Sequence, residues 1–154
     1  MENNIDEKIV HLEKITAATV YPICMLSETL NANQRRMVAD NAISIAQAHF
    51  SENAWMRAIY LGEEPIGFLM MHFGIDEDYG IQCPGAFLWR YMVAGPYQGK
   101  GYGRTIINLL VEQLKTNGYH ELFTSAETGE GSPLEFYKRL GFVPTGNYLG
   151  EEME

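Results

Sequence analysis

An eight-residue stretch rich in glycine and basic side chains is the densest chemical signal in the sequence. It reads Tyr97-Gln98-Gly99-Lys100-Gly101-Tyr102-Gly103-Arg104. Because glycine has no Cβ, its backbone amide can approach a ligand closely and can adopt positive φ. At the start of a helix, such amides and the helix dipole together bind anions, and Lys100 and Arg104 add positive charge. The stretch predicts a phosphate or pyrophosphate site.

Three known kinds of phosphate loop can be compared with this stretch. A Walker A loop, GxxxxGK[ST], does not fit because Gly95 lies only four residues before Gly99 and no Ser or Thr follows the lysine. A dinucleotide-binding GxGxxG loop does not fit because the three glycines are spaced GxGxG. The third kind fits, since residues 98–103 match the [QR]xxGx[GA] loop that wraps the pyrophosphate of coenzyme A. A glycine-rich turn that only begins a helix is the structural alternative.

A second motif lies about thirty residues further on, at the end of a predicted helix. It reads Phe136-Tyr137-Lys138-Arg139-Leu140-Gly141-Phe142. Together the two motifs resemble the GNAT superfamily of acetyl-CoA-dependent N-acetyltransferases, whose second half runs strand, pyrophosphate loop, helix, strand, helix and ends in FYxxLGF. The resemblance covers residues 87–148. It implies an acyltransferase of the EC 2.3.1 type that uses acetyl-CoA as acetyl donor and no metal.

The resemblance also implies roles for individual residues by position. Met92 and Val93 are expected to lend backbone groups to the pantetheine arm of acetyl-CoA. The pyrophosphate is expected to be held, mostly by main-chain amides, in the loop formed by Gln98, Gly99, Lys100, Gly101, Tyr102, Gly103 and Arg104. Tyr137 matches the family's tyrosine beside the thioester sulfur and is the expected proton donor to the leaving thiolate. Lys138 or Arg139 is expected at the outer phosphate of the coenzyme.

The base that accepts the proton of the acceptor amine does not stand out in the sequence. A primary alkylamine titrates near ~10.4, so it must lose a proton before it attacks the thioester directly in a ternary complex. Family members often carry a Glu or Asp on the strand before the loop, whereas residues 88–91 contain none. Glu28, His72 and the acidic run 76–78 are the candidates.

The charge balance bears on the acceptor. The chain has 154 residues and a net charge of −9, from 11 basic and 20 acidic side chains. This argues against a nucleic-acid partner, because phosphate contacts need clustered Lys and Arg, and it favours a cationic acceptor. A weaker resemblance of residues 33–48 and 88–90 to bacterial spermine/spermidine (diamine) acetyltransferases points to a polyamine. Glu28, Asp76 and Trp89 are expected to contact it.

Location and alternative functions follow from what the sequence lacks. No apolar run approaches the ~20 residues of a membrane helix, and residues 1–8 are too polar and acidic for a secretory signal. The two cysteines have no metal-binding spacing. We therefore expect a cytoplasmic protein without membrane contact or a metal site; whether it forms a homodimer is left open. The alternatives are an acetyltransferase for another amine (a protein N-terminus, an amino acid or an aminoglycoside) and a non-catalytic coenzyme A-binding sensor.

Periodicity and capping signals predict the elements that position these residues. Strands are predicted at 9–15, 54–61, 66–73, 87–93, 121–125 and 142–148, and helices at 17–30, 37–50, 103–117 and 132–140. The order predicts one α/β domain over residues 1–154. The resemblance implies a mostly antiparallel sheet that is splayed between its two middle strands and flanked by about four helices. The final strand of that sheet is expected to be very short here or to come from a partner.

Overall fold

Five strands form one mixed sheet in the computed structural model of the chain, which describes residues 9–149 and 152–154. In spatial order they are β1 (Val10–Glu13), β2 (Ala54–Leu61), β3 (Glu64–Phe73), β4 (Ala86–Val93) and β5 (Phe123–Thr124). Neighbouring strands are antiparallel up to β4, whereas β4 and β5 run parallel. The predicted α/β class and mostly antiparallel sheet are confirmed. Residues 1–8, on which the argument against a secretory signal rests, lie outside the described residues.

The helices lie on both sides of this sheet. They are α1 (Val20–Met25), α2 (Ala32–Met37), α3 (Asn41–His49), α4 (Tyr102–Thr116) and α5 (Leu134–Arg139). The predicted helices at 17–30 and 37–50 are therefore wrong in their bounds, because α1 passes into the 3-10 turn Leu26–Thr29 and a separate helix, α2, follows. Asn31 starts α2 through a capping box with Gln34. No helix in the described ranges has the length and apolarity needed to cross a membrane.

Two apolar clusters hold the helices against opposite faces of the sheet. On one face α4 buries Ile106, Ile107, Leu110 and Leu114 at helical spacing, against side chains of β2, β3 and β4. On the other face Ile23 of α1 packs with Phe68, Met70 and Met92. The middle strands β3 and β4 are thus packed on both faces, and this packing holds β4 in position up to its C-terminal end.

The C-terminal segment does not form the strand predicted at 142–148. Pro144 has no N–H to donate, and Gly146 adopts φ +88°, so pairing begins only at β6 (Tyr148–Leu149). This strand pairs with β7 (Glu152–Met153) in a two-stranded sheet. Met153 also exchanges two backbone hydrogen bonds with Ala126, of 2.8 and 2.9 Å. The last strand is therefore very short, and it is anchored just after β5.

Candidate active site

A bulge in β4 opens a cleft between the two parallel strands of the sheet. Leu88 pairs with Met71 and Arg90 pairs with Met70, which leaves Trp89 as an extra residue on β4. β4 and β5 are joined at only two positions, which end at Leu88. Beyond the bulge the strands part, and the space between them is a cleft of about 1100 Å³. The predicted splay is thus present, and its position is set by the bulge.

The glycine-rich loop lies at one end of this cleft and presents unbonded amides to it. Gly101 adopts φ +88° immediately before α4, a conformation that costs other residues about 1–2 kcal/mol. The N–H of Gln98 donates to Gly95 O at 3.2 Å, and that of Thr105 donates to Gly101 O at 3.3 Å. Between them, in the part of the chain that is described, no amide of residues 99–104 donates a hydrogen bond within the fold. Six consecutive donors at the start of a 15-residue helix suit a diphosphate.

The side chain of Gln98 braces the loop from within. Its Nε2 donates to Val93 O at 2.8 Å, and its Oε1 accepts from Gln34 Nε2 at 2.8 Å. Both its backbone N–H and its amide side chain are therefore used inside the fold. The side chain of Gln98 thus ties the loop to β4 and α2, and its expected contact with pyrophosphate stays a prediction. The sequence analysis did not identify Gln34 as a partner of the loop because it lies 64 residues from Gln98. Its capping box with Asn31 is the only local signal at this position.

Of the two strand residues expected at the pantetheine arm, Val93 presents its backbone to the cleft. Ala94 donates to Ile66 O on β3 at 2.7 Å. Backbone groups alternate in direction along an antiparallel strand, so those of Met92 point to β3 and those of Val93 point to the unpaired side. Met92 is also among the residues that line the cleft. Its side chain packs into the core.

Tyr137 of α5 lies further along the same cleft and is only 5% exposed. Burial raises the pKa of Tyr137 to about 12, while the neighbouring Thr124 hydroxyl lowers it and the charge of Glu152 raises it further. The side chain is therefore a phenol at any pH near neutrality. Its neighbours Phe136 and Phe142 pack at ring-centroid distances of 5.5 and 5.3 Å and hold it in place.

Of the remaining residues of the loop that are expected at the coenzyme, some line the cleft and others do not. Gly99, Gly101, Gly103 and Arg104 line the cleft. Lys100 is exposed and does not line it. Tyr102 contributes its backbone to the loop, but its side chain packs against the core beside Tyr97.

The two cations at the end of α5 point to different places. Lys138 forms an ion pair with Glu135 at 3.6 Å and lines a separate pocket rather than the cleft, and its expected contact with the coenzyme stays a prediction. Arg139 lines the cleft. Its carbonyl accepts a hydrogen bond of 3.5 Å from the Arg104 guanidinium, which places the positive side chain of Arg104 beside the end of α5.

Of the three residues expected to bind the acceptor, only Trp89 lines the cleft. Glu28 is exposed on the 3-10 turn after α1. Asp76 organises the β3–β4 loop instead: its Oδ1 accepts from the N–H groups of Asp78 and Tyr79. Its Oδ2 lies 3.5 Å from Nε2 of the fully buried His72. Glu28, His72 and Asp76, the candidate bases among these, do not line the cleft.

Eight charged residues line the cleft, and apart from Arg104 and Arg139 the sequence analysis did not identify them. The positive ones are Arg35, Arg36, Arg90, Arg104 and Arg139, and the negative ones are Asp40, Glu127 and Glu152. The wall is therefore mixed in charge rather than acidic. Within residues 9–149 and 152–154, no group of His, Cys, Asp and Glu side chains is arranged to hold a metal ion.

Comparison with known proteins agrees with this geometry. The sequence profile described as the acetyltransferase (GNAT) family matches residues 19–142. The chain belongs to this family. The enzyme class expected from the sequence, an N-acetyltransferase, is thereby confirmed. No curated protein matches the sequence of this GNAT chain.

Solved structures share the fold at low sequence identity. An acetyltransferase from Thermus thermophilus has TM-score 0.70 and 18% identity, covering 94% of this chain and 92% of that one. The PaiA N-acetyltransferase from Thermoplasma acidophilum, in complex with coenzyme A, has TM-score 0.68 and 14% identity, with coverages of 94% and 96%. Arabidopsis thaliana Naa50, in complex with the bisubstrate analogue CoA-Ac-MVNAL, has TM-score 0.63 and 18% identity, with 94% of each chain covered.

Proposed function

We propose that this GNAT chain works in the cytoplasm as one N-acetyltransferase domain over residues 1–154, transferring the acetyl group of acetyl-CoA to a primary amine. The observation that carries the proposal is the row of unbonded amides at 99–104, in the same cleft as the buried phenol of Tyr137. The amides would hold the pyrophosphate, and the Val93 N–H, whose neighbouring carbonyl already accepts from Gln98, would donate to the pantetheine arm. The PaiA and Naa50 structures contain coenzyme A and a coenzyme A analogue, which supports the same donor here.

Residues of the cleft can assist the reaction at the carbonyl oxygen and at the sulfur of the thioester. Acetyl-CoA supplies a thioester, and the Val93 N–H faces the side on which its carbonyl oxygen would need a donor. Tyr137 would donate to the sulfur. A thiol titrates near ~8.5, whereas the pKa of Tyr137 is about 12, so a full proton transfer is unfavourable by about 5 kcal/mol. The phenol therefore stabilises the sulfur by hydrogen bonding, and complete transfer must be coupled to loss of a proton from the amine.

The finer proposal is that the acceptor is a polyamine such as spermidine or spermine. It is supported by the net charge of −9 and by the presence of Trp89 among the residues of the cleft wall, since cations bind both carboxylates and aromatic rings. Two of its three expected contacts, Glu28 and Asp76, lie outside the cleft, so the proposal now depends on Trp89 and on the three acidic residues of the wall.

Arg90 favours a second class of acceptor, an amine that also carries a carboxylate, such as an amino acid. Its guanidinium stacks 4.8 Å from the ring centroid of Trp89 and donates to Gln47 Oε1 at 3.1 Å. Among the described residues it forms no ion pair, and its Nε is buried without a partner. Burial lowers the pKa of Arg90, with a smaller opposing influence of Glu152. A buried arginine that lacks an ion pair among the described residues and has an unpartnered Nε is suited to bind a planar anion such as a carboxylate.

A thiol-release assay tests the proposal and separates these acceptors. Acetyl-CoA is supplied with spermidine, spermine, a free amino acid, a peptide with a free N-terminus, or an aminoglycoside. Turnover with at least one amine is expected, and Tyr137→Phe is expected to reduce kcat while leaving the Kd of acetyl-CoA unchanged. Binding of acetyl-CoA without turnover, in wild type and variant alike, would instead identify a coenzyme A sensor.

A further inference from the structure

The cleft offers few side chains that could take a proton from the acceptor amine. Among the described residues its wall contains three carboxylates, Asp40, Glu127 and Glu152, and no histidine. Asp40 forms an ion pair with Arg35 at 3.3 Å. Within the same part of the chain, Glu127 is bonded only through its backbone carbonyl, which accepts from the Ser132 hydroxyl. Glu152 is therefore the carboxylate that is both unpaired by a cation and fixed in position.

The position of Glu152 is set by strand pairing and by one side chain. The two hydrogen bonds between Ala126 and Met153 anchor β7 beside the end of β5. The Ser125 hydroxyl then donates to Oε2 of Glu152. No donor to Oε1 is found among the described residues, so this oxygen can accept a proton or a hydrogen bond from a ligand in the cleft.

Glu152 also lines the same cleft as Tyr137, the residue expected at the thioester sulfur. Its charge contributes, after burial, to the raised pKa of Tyr137. On the other side it acts on Arg90, where it opposes the lowering of the pKa caused by burial. The charge of the carboxylate thus acts on both the phenol of Tyr137 and the guanidinium of Arg90, which line the same cleft.

We propose that Glu152, held by Ser125, is the general base that deprotonates the acceptor amine; the inference rests on the acetyltransferase function proposed above. One proton passes from the ammonium nitrogen to Oε1 of Glu152 and then to solvent. The amine lone pair forms the C–N bond to the acetyl carbon, and the C–S bond breaks with its electron pair on sulfur. Tyr137 gives sulfur its proton and is reprotonated, through solvent, by the second proton of the nitrogen. The products are the amide, free thiol and one proton.

The test compares Glu152→Gln with wild type, using an amine that turns over with wild type. The new amide oxygen can still accept the Ser125 hydrogen bond, so the cleft is kept while the base is lost. At pH 7 we expect kcat/KM for the amine to fall by about 10²–10⁴, with the Kd of acetyl-CoA unchanged. Because the neutral fraction of an alkylamine rises roughly tenfold per pH unit below ~10.4, activity of the variant should rise steeply from pH 7 to 9, more steeply than that of wild type.

A matched control and a milder variant complete the experiment. Glu112→Gln changes an exposed carboxylate of α4 that pairs only with Lys115 among the described residues, and it should leave kcat/KM unchanged. Ser125→Ala should lower kcat about tenfold by loosening Glu152, and it provides a test if Glu152→Gln does not fold. Wild-type activity and pH profile in Glu152→Gln would overturn the base assignment alone. Acetyl-CoA binding without turnover in wild type would overturn the proposed function.

Discussion

The strain at Gly101 allows the role of the loop to be tested with a single methyl group. An added Cβ would meet no atom within 4 Å, but φ is +88°. Alanine pays roughly 1–2 kcal/mol in this conformation. In the free protein only two hydrogen bonds within the described part of the chain hold Gly101, from the N–H and the hydroxyl of Thr105 to Gly101 O. We therefore expect the loop of Gly101→Ala to relax, so that binding of acetyl-CoA must restore its conformation. The Kd of acetyl-CoA should then rise by up to roughly 5- to 30-fold.

Gly118, just past the other end of α4, is the matched control. Its φ is +86° and an added Cβ would likewise meet nothing within 4 Å. It is held by its own bond to Lys115 O and by that of Tyr119 to Leu114 O, so the strain of Gly118→Ala should appear in the free energy of unfolding, with the Kd unchanged. Calorimetric titration and denaturant unfolding measure the two quantities. Equal acetyl-CoA affinity in both variants would refute the assignment of the loop as the pyrophosphate site.

Three further outcomes follow from the cleft. Tyr137→Phe should reduce kcat by about 10²–10⁴ with little change in the Kd of acetyl-CoA; wild-type kcat would remove Tyr137 from the chemistry. Folding raises the pKa of Tyr137 from 10 to about 12, so its contribution to stability is complete below pH 10 and is lost as the pH rises to 12. Unfolding measured across this range should show wild type losing up to about 2.7 kcal/mol more than Tyr137→Phe, and parallel curves would contradict the burial argument. Arg139→Ala should raise the Kd of acetyl-CoA up to about fivefold, whereas Lys138→Ala should leave it unchanged; the reverse order would show that the two cations have been misplaced.

Elements with local signals could be predicted closely from the sequence. The turn after Leu61 and the apolar stripe of α4 predict a hairpin and a helix that the structure contains within one or two residues. The start of α5 was predicted from Ser132, whose hydroxyl accepts from the Leu134 N–H at 3.1 Å, although the helix itself begins at Leu134. The pyrophosphate loop belongs to this class because its glycines and its helix are contiguous.

What could not be predicted depends on residues that are distant in the chain. The bulge at Trp89 arises from how β4 pairs with β3 and has no single-sequence signal. Glu152 and Ser125 are 27 residues apart, and β7 is only two residues long, too short for a period-2 pattern. The sequence therefore indicates Glu28, His72 and the acidic run 76–78 as candidate bases, and none of these lines the cleft. The sequence shows that a residue is acidic, but only the pairing of the strands shows whether that residue lies in the cleft.

A structure of the chain with acetyl-CoA bound tests the central claim most directly. We expect the diphosphate oxygens to accept hydrogen bonds of ~2.7–3.2 Å from several of the amides of residues 99–104, with the thioester sulfur beside the phenol of Tyr137. A diphosphate bound elsewhere, with those amides turned into bonds within the protein, would contradict the account.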